Sequence, residues 1–264
     1  MSDSGLNRTL LTKILGPLAG LIQGDPLVRD RWLWLKPRLP RTANGEKLLD
    51  VGCGSGAFTI CAALRGYDAL GLTWDEQDTA TAVERARLSR AGGARFRICD
   101  VRQLDQQPDL KDSFEFAVCC ENIEHILDDR RLVLAIHACL KPGGRLLLTT
   151  PNYHYRPITR GDMGPFQTTE QGWHVRRGYS EGQLRDLFHG TGFLIEKITY
   201  CGGYTSQKLT GFMRLFRGRA YVIGWALTLP FRPFVPVVDR LLHAVWPSPP
   251  YSICVEAYKA NWTT

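Results

Sequence analysis

The chain has 264 residues, 44% of them hydrophobic and 22% charged, a balance that supports a folded core and excludes a disordered or collagen-like polymer. Its eight cysteines form no C-x-x-C pair and mostly sit in apolar segments, which argues against zinc or a disulfide framework and for buried free thiols in a reducing compartment. The net charge of +7, gathered in 29–41, 174–179 and 214–219, has two readings: a solvated basic face, or a surface for a phosphorylated substrate, a lipid headgroup or a nucleic acid.

Residues 9–23 have an amphipathic helical pattern broken at Gly16-Pro17, without the basic start or small-residue cleavage site of a signal peptide. From Lys47 the pattern alternates. Strands are expected at 47–51, 69–72, 96–99, 114–119 and 145–150, with helices over 57–65, 76–91 and 129–140. The last of these helices should stop at "KPGG", where Pro142 cannot continue it. Ser180 with Gln183 three residues later predicts a capping box for a further helix, ending near Gly190–Gly192. Strands at 193–200 and 251–259 complete the list. Strands alternating with helices imply an α/β fold with a doubly wound, mostly parallel sheet. The longest lipid-like run, 220–231, is too short to span a bilayer, and a cytoplasmic location is expected.

The first strand runs into "LLDVGCGSGA", with glycines at 52, 54 and 56. At the carboxyl end of a central strand such a turn lets backbone approach a ligand, because no Cβ intervenes. The string also satisfies G-x-G-x-x-G/A, so a dinucleotide enzyme competes. The other motifs separate the candidates. "LLDVGCGSG", "ICDVRQL", "ENIEHILDD" and "LKPGGRLLLTTPN" together resemble class I S-adenosylmethionine (SAM) methyltransferases, in the group of the ubiquinone-biosynthesis O-methyltransferases and sugar or natural-product methyltransferases. The resemblance covers 47–152, resumes at 180–200 and includes the last strand. It implies a Rossmann-like, seven-stranded sheet with an antiparallel last strand.

It also implies roles. Asp50 would serve the cationic end of SAM, directly or through water, and the backbone at Gly52, Cys53 and Gly54, with Gly56 behind it, would pass the methionine part. Asp100 would accept from the adenine amino group while the Val101 amide meets a ring nitrogen. The usual acidic ribose ligand after strand two is replaced by Thr73. A similar stretch in cyclopropane-fatty-acid synthases makes Thr73 and Gln77 the candidates, with Asp75 as the alternative and Trp74 either stacking on adenine or simply packing.

Glu121, Glu124 and His125 have i, i+3, i+4 spacing, so one helical turn would converge them at the end of strand four, with Glu121 also beside the cofactor. By resemblance this triplet would hold a divalent ion (Mg, Mn or Zn). Without an ion, His125 would be a base, and His174 in "GWHVRRGY" is a second base candidate. Asn152, His154, Arg176 and Arg177 are further acceptor-side residues. The expected layout is one methyltransferase domain, with an N-terminal lid (1–45), a SAM-binding core (46–151), cap insertions (152–179 and 202–248) and sheet completion (180–201 and 249–260).

The cap stretch 209–246 is apolar, aromatic and basic. It is either a helical cap burying its own apolar face, or a channel or membrane-touching surface for an amphipathic acceptor. The expected activity is methyl transfer from SAM to a small-molecule, glycan or lipid-linked acceptor, at a hydroxyl oxygen. The competing classes are a non-catalytic SAM-binding partner protein and an NAD-dependent oxidoreductase, which would need the acid that Thr73 replaces. Nucleic acid is not the expected acceptor, because no N-P-P-Y motif is present.

Overall fold

The computed structural model describes residues 12–13, 24–216 and 221–260. The amphipathic pattern at 9–23 therefore lies almost wholly outside the described residues. The continuous described segment opens with α1 (Pro26–Leu35), capped by the Asp25 side chain, which accepts from the Leu27 amide at 3.1 Å.

Strands and helices then alternate: β1 (Lys47–Val51), α2 (Ala57–Ala63), β2 (Asp68–Thr73), α3 (Glu76–Leu88), β3 (Ala94–Ile98), β4 (Phe114–Cys120), α4 (Asp129–Cys139), β5 (Leu140–Pro151), α5 (Glu181–Phe188) and β6 (Phe193–Cys201). Three helices follow, α6 (Tyr204–Leu215), α7 (Tyr221–Thr228) and α8 (Val235–Val245), before β7 (Ser252–Lys259). The expected elements are present with shifted ends. The largest shift is at β5, which starts directly after α4 and takes in "KPGG". The capping box of α5 forms as expected, with Ser180 and Gln183 bonding reciprocally.

The sheet order is β3-β2-β1-β4-β5-β7-β6, and β7 is antiparallel to both neighbours. Central strands are buried on both faces and need apolar runs rather than alternation. β1 is buried from Leu48 to Val51. Leu49 and Val51 join Ile123, Ile136, Leu148 and Phe188 in one core layer; Leu48 joins Trp34, Leu39, Ala62 and Val118 in the other. α1 is fixed to the far end of the sheet by Trp34 Nε1 donating to Thr199 Oγ1 at 2.9 Å and by the Arg38–Glu256 pair at 2.7 Å. All eight cysteines are free, six of them buried.

The strand order reverses between β1 and β4. The carboxyl ends of these two strands form the crevice in which open α/β sheets bind ligands. The glycine turn after β1 and the Glu121–His125 stretch after β4 meet there. Residues 152–179 are laid over that edge by a ladder fragment: Tyr153 N donates to Tyr179 O and Tyr179 N to Pro151 O, both at 2.9 Å. A Cβ at Gly178 would stand 2.0 Å from the Pro151 carbonyl, so this approach requires glycine.

Candidate active site

The glycine turn is locked to the sheet before any ligand is considered. The Gly52 and Cys53 amides both donate to the Leu72 carbonyl, at 3.0 and 2.8 Å. Gly52 has φ +80° and Gly54 φ +48°. A Cβ on Gly54 would meet nothing nearer than Asp78 Oδ2 at 4.0 Å, so its open side faces a cavity rather than a neighbour. That cavity, about 210 Å³, is lined by Gly52, Gly54, Thr73, Asp78, Asp100 and Val101, with Glu121, Asn122 and His125 on the β4 side and Glu170 and Gly172 above.

The anticipated cofactor residues divide here. Gly52, Gly54, Thr73, Asp100, Val101 and Glu121 reach the cavity. Asp50, Cys53, Gly56 and Gln77 stand outside its lining. Asp50 lies beneath the turn, buried, accepting from Thr59 Oγ1 at 2.7 Å, and burial raises its carboxyl to about 6. Cys53 turns its thiol to the Gly54 carbonyl. Gly56 serves packing: a Cβ there would meet Phe96 and Ala82 within 2.9 Å. Gln77 yields to Asp78, because the Asp75 carboxylate caps α3 on the Asp78 amide at 2.6 Å and sets that residue toward the turn. Neither Asp78 nor Arg102 stood out in the sequence. Arg102 clasps the Asp100 carboxylate and reaches Glu170 at 3.2 Å, bridging core and cap across the cavity mouth. Its hydrogen bonds hold the Asp100 carboxyl below the ordinary value.

The expected Glu121–Glu124–His125 convergence needs correcting. Glu121 leaves β4 with φ +48°, and only a single 3-10 turn, Ile123–His125, follows. No full α-helical turn brings the three side chains onto one face. Glu121 instead pairs with Arg31 of α1 at 3.3 Å and accepts from Ser252 Oγ at 2.9 Å and Thr149 Oγ1 at 3.1 Å.

His174 takes the third position. The Val175 amide donates to the Glu124 carbonyl at 3.0 Å, which pins the cap loop and sets the His174 ring edge-on to His125, with centroids 4.6 Å apart. Glu124 is fully buried beneath the pair. Its Oε2 accepts from Thr150 Oγ1 at 3.1 Å. Its Oε1 has no hydrogen-bond partner and lies 3.8 Å from His125 Nε2 and 3.9 Å from His174 Nε2. Burial, helped by the Glu121 charge, holds the Glu124 carboxyl well above its usual range. Burial also lowers both histidines, His174 to about 4.

His174 faces a second, larger cavity of about 1150 Å³, walled by Ile158, Phe166, Trp173, Leu215, Phe216 and Tyr251 among others. The histidine pair thus stands between two cavities, His125 in the wall of one and His174 in the wall of the other.

The remaining acceptor-side candidates are engaged elsewhere. Arg176 bonds Asp129 and the Leu127 carbonyl, Arg177 the Tyr155 carbonyl at 2.7 Å, and Asn152 the Pro250 carbonyl at 3.1 Å. His154 is exposed against Tyr153.

The residues fit SAM in kind. The turn offers backbone without side chains, and Thr73, Asp78 and Asp100 offer polar groups. The volume falls short of the roughly 300–1000 Å³ of ligand pockets, so the lining must open for a nucleoside to enter, and Arg102 with Glu170 stands at the mouth. The residues also fit a divalent ion: the donor atoms of Glu124, His125 and His174 lie within 4.8 Å of one another around the unpartnered Oε1.

Known proteins bear on the family and the fold. A methyltransferase domain family model matches residues 28–198. The ubiquinone biosynthesis O-methyltransferase of Acinetobacter baumannii (strain AYE) is 33% identical over 132 residues, 50% of this chain and 53% of that protein. The chain thus matches about half the length of such curated relatives. Among solved structures, the cyclase SpnF superposes with TM-score 0.61 at 21% identity, covering 94% of this chain and 93% of that one. Phosphoethanolamine N-methyltransferase 2 of Haemonchus contortus, in complex with SAM, gives 0.62 at 18% identity, covering 97% and 59%. Likenesses at that identity speak for the fold alone. With a family match running from α1 into β6 and a glycine turn at the switch point of a seven-stranded sheet, this chain belongs to the methyltransferase domain family, in its class I SAM-dependent form.

Proposed function

We propose that this chain transfers a methyl group from SAM to a hydroxyl oxygen of an amphipathic or lipid-linked small molecule. The observation that carries the reading is the His125–His174 pair between the two cavities. When bound, SAM supplies an electrophilic methyl group that needs no further activation. The chain then has three tasks: hold the acceptor in line, exclude water, and take the hydroxyl proton.

Residues Ile158, Phe166, Leu215 and Phe216 suit an apolar acceptor body. His174, kept neutral by burial, is the base facing that cavity, and His125 backs it. The hydroxyl proton goes to His174; Glu124, held toward its neutral form by burial, stands 3.8 and 3.9 Å from the two imidazoles and acts on them as an oriented dipole rather than as a proton acceptor. Oxygen as the methylated atom is supported by the name of the curated O-methyltransferase relative. The test is calorimetric titration with S-adenosylhomocysteine, followed by label transfer from methyl-labelled SAM into an organic extract. Binding with transfer that is lost in His174→Ala supports the reading. Absence of binding overturns it.

A second reading uses the same side chains to hold a divalent ion, supported by the unpartnered Glu124 Oε1. Two imidazoles and one carboxylate favour Zn or Mn over Mg. Titration with Zn²⁺ or Mn²⁺ should then show one site that disappears in Glu124→Gln and in His174→Ala. Absence of any site in the intact chain removes this reading and leaves the base.

A further inference from the structure

The cap helices expose more apolar surface than their packing needs. On α8, Val237, Leu241 and Val245 recur at four-residue spacing, with Val238 and Leu242 beside them, and all five are exposed. Val245 is 86% and Leu241 64% accessible. Phe231 and Phe234 in the link before α8, and Ile223 and Leu227 on α7, are exposed as well. A monomer rarely leaves so many large apolar side chains on neighbouring cap segments in water. No described helix is long and apolar enough to cross a membrane.

Charge decides what the strip fits. The stretch 209–246 carries a single acid, Asp239, and of its described arginines Arg232 is buried and Arg214 lies 3.8 Å from Asp25 and Asp162, which leaves Arg240 at the surface. Asp239 points inward: its carboxylate accepts from the Thr205 amide at 2.6 Å and from Ser206 Oγ at 3.1 Å, capping α6. Arg240 and His243 are exposed on α8 itself, and Lys208 and Arg156 are exposed nearby. Trp246 ends α8, with Arg156 over its ring at 5.8 Å.

We propose that the outer face of α7 and α8 docks on an anionic lipid bilayer, lying in the headgroup boundary with the strip in the acyl region and the cations on phosphate. Interfacial helices combine a strong apolar face with Lys, Arg and Trp in this way. A second copy of the chain fits less well, because an isologous contact would set one basic rim against another, with no exposed acid among the described residues of α7 and α8. Leu215, 77% accessible, ends α6 in the wall of the large cavity, and α6 packs on α7, so the docked face stands beside the acceptor side of the site. The docking stands on the surface alone and does not rest on the proposed methyl transfer.

The experiment is vesicle flotation of the full chain. Phosphatidylcholine vesicles containing a minority of phosphatidylglycerol should carry the protein, pure phosphatidylcholine far less, and high salt should release it. Leu241→Glu with Val245→Glu should lower the bound fraction by roughly tenfold or more. Both sites are exposed, so the melting temperature should hold, and Arg240→Glu should act more weakly in the same direction. Quenching of tryptophan emission by brominated lipid should fall in Trp246→Phe. The proposal is overturned if anionic vesicles carry no protein, or if the double glutamate variant binds them as well as the parent. A concentration-dependent dimer broken by the same two substitutions would also overturn it.

Discussion

The glycine turn and the cap face each other across the histidine pair and differ in how much of each is held by backbone and how much by side chains. The turn is backbone: amides of Gly52 and Cys53 on the Leu72 carbonyl, between strands buried on both faces. The cap has a short backbone ladder at 151–153 and 175–179 and is otherwise held by side chains: Arg177 on the Tyr155 carbonyl, Arg214 at 3.8 Å from both Asp25 and Asp162, and Asp239 on the start of α6. Backbone geometry leaves few substitutions open, whereas side-chain contacts can be exchanged one at a time. The same cofactor side can therefore be kept while the acceptor side changes. Substitutions in the turn should strike cofactor affinity, and those in the cap should strike turnover or acceptor use.

The largest effect is expected at the turn. Gly54→Val places a branched side chain at φ +48° and fills the cavity that glycine leaves open. Gly52→Ala would set a Cβ 2.4 Å from Asn122 Nδ2 and displace its bond to the Val51 carbonyl. Calorimetry should show S-adenosylhomocysteine affinity reduced by roughly a hundredfold or more in a folded Gly54→Val protein, since several kcal/mol of contact and backbone fit are lost together. Unchanged affinity would erase the contrast between the two regions.

Next come His125→Ala and His174→Ala. Cofactor affinity should persist while turnover falls by about 10²–10⁴, the range for a positioned base. The pH profile sharpens the assignment. Burial holds both imidazoles below 6.5, His174 at about 4. Turnover should therefore stay level as pH drops through 6.5 and decline only toward 4; a fall centred near 6.5 would contradict a buried base. Stability moves with the same sign. Below 6.5 the unfolded chain binds protons that the folded histidines refuse, so the histidines' contribution declines as pH falls from 6.5 toward 4.

The two regions also differ in how far sequence discloses them. The sheet was legible because buried strands need apolar runs and helix ends need caps, as at Ser180 and Gln183. The antiparallel last strand and the adenine role given to Asp100 came from family resemblance, not periodicity. The Glu121 position was not legible, since i, i+3, i+4 spacing converges side chains only on a helix and the chain leaves β4 in a left-handed conformation. Arg31 and Glu170 were missed because long-range pairs have no local spacing, and Arg102 because its clasp on Asp100 two residues away follows no helix or strand period. His174 was singled out, but its contact with Glu124 and His125 depends on a loop ladder that no periodicity encodes.

A smaller effect tests the region beneath the turn. Asp50 is buried, and its folded carboxyl titrates at about 6 against an ordinary 3.8. A raised carboxyl opposes folding once it is ionised, so the cost is absent below 3.8 and complete above 6. Asn at this position keeps an acceptor for Thr59 and removes the charge. Asp50→Asn should therefore gain up to roughly 3 kcal/mol at pH 8 and nothing near pH 3.5, read by denaturant melts at both values. A loss at pH 8 would mean that the charge has a partner in the folded chain.

The smallest effect is expected where the two regions touch. Arg102 bonds Asp100 of the core and Glu170 of the cap across the cavity mouth. If Asp100 receives the adenine amino group, Arg102 competes with the cofactor for the same oxygens and must release them first. Both members of the clasp are partly exposed, so solvent screens the pair and little is spent in opening it. Arg102→Ala should speed cofactor association severalfold in stopped-flow measurements and tighten the equilibrium by less than about 1 kcal/mol, the scale of an exposed ion pair. Glu170→Gln leaves the Asp100 contact in place and should do less. Weaker cofactor binding in Arg102→Ala would make Arg102 a ligand of the cofactor rather than its competitor. The cap, through Glu170, would then share in cofactor recognition, and the division between a backbone-built cofactor side and a largely side-chain-built acceptor side would fail at this residue.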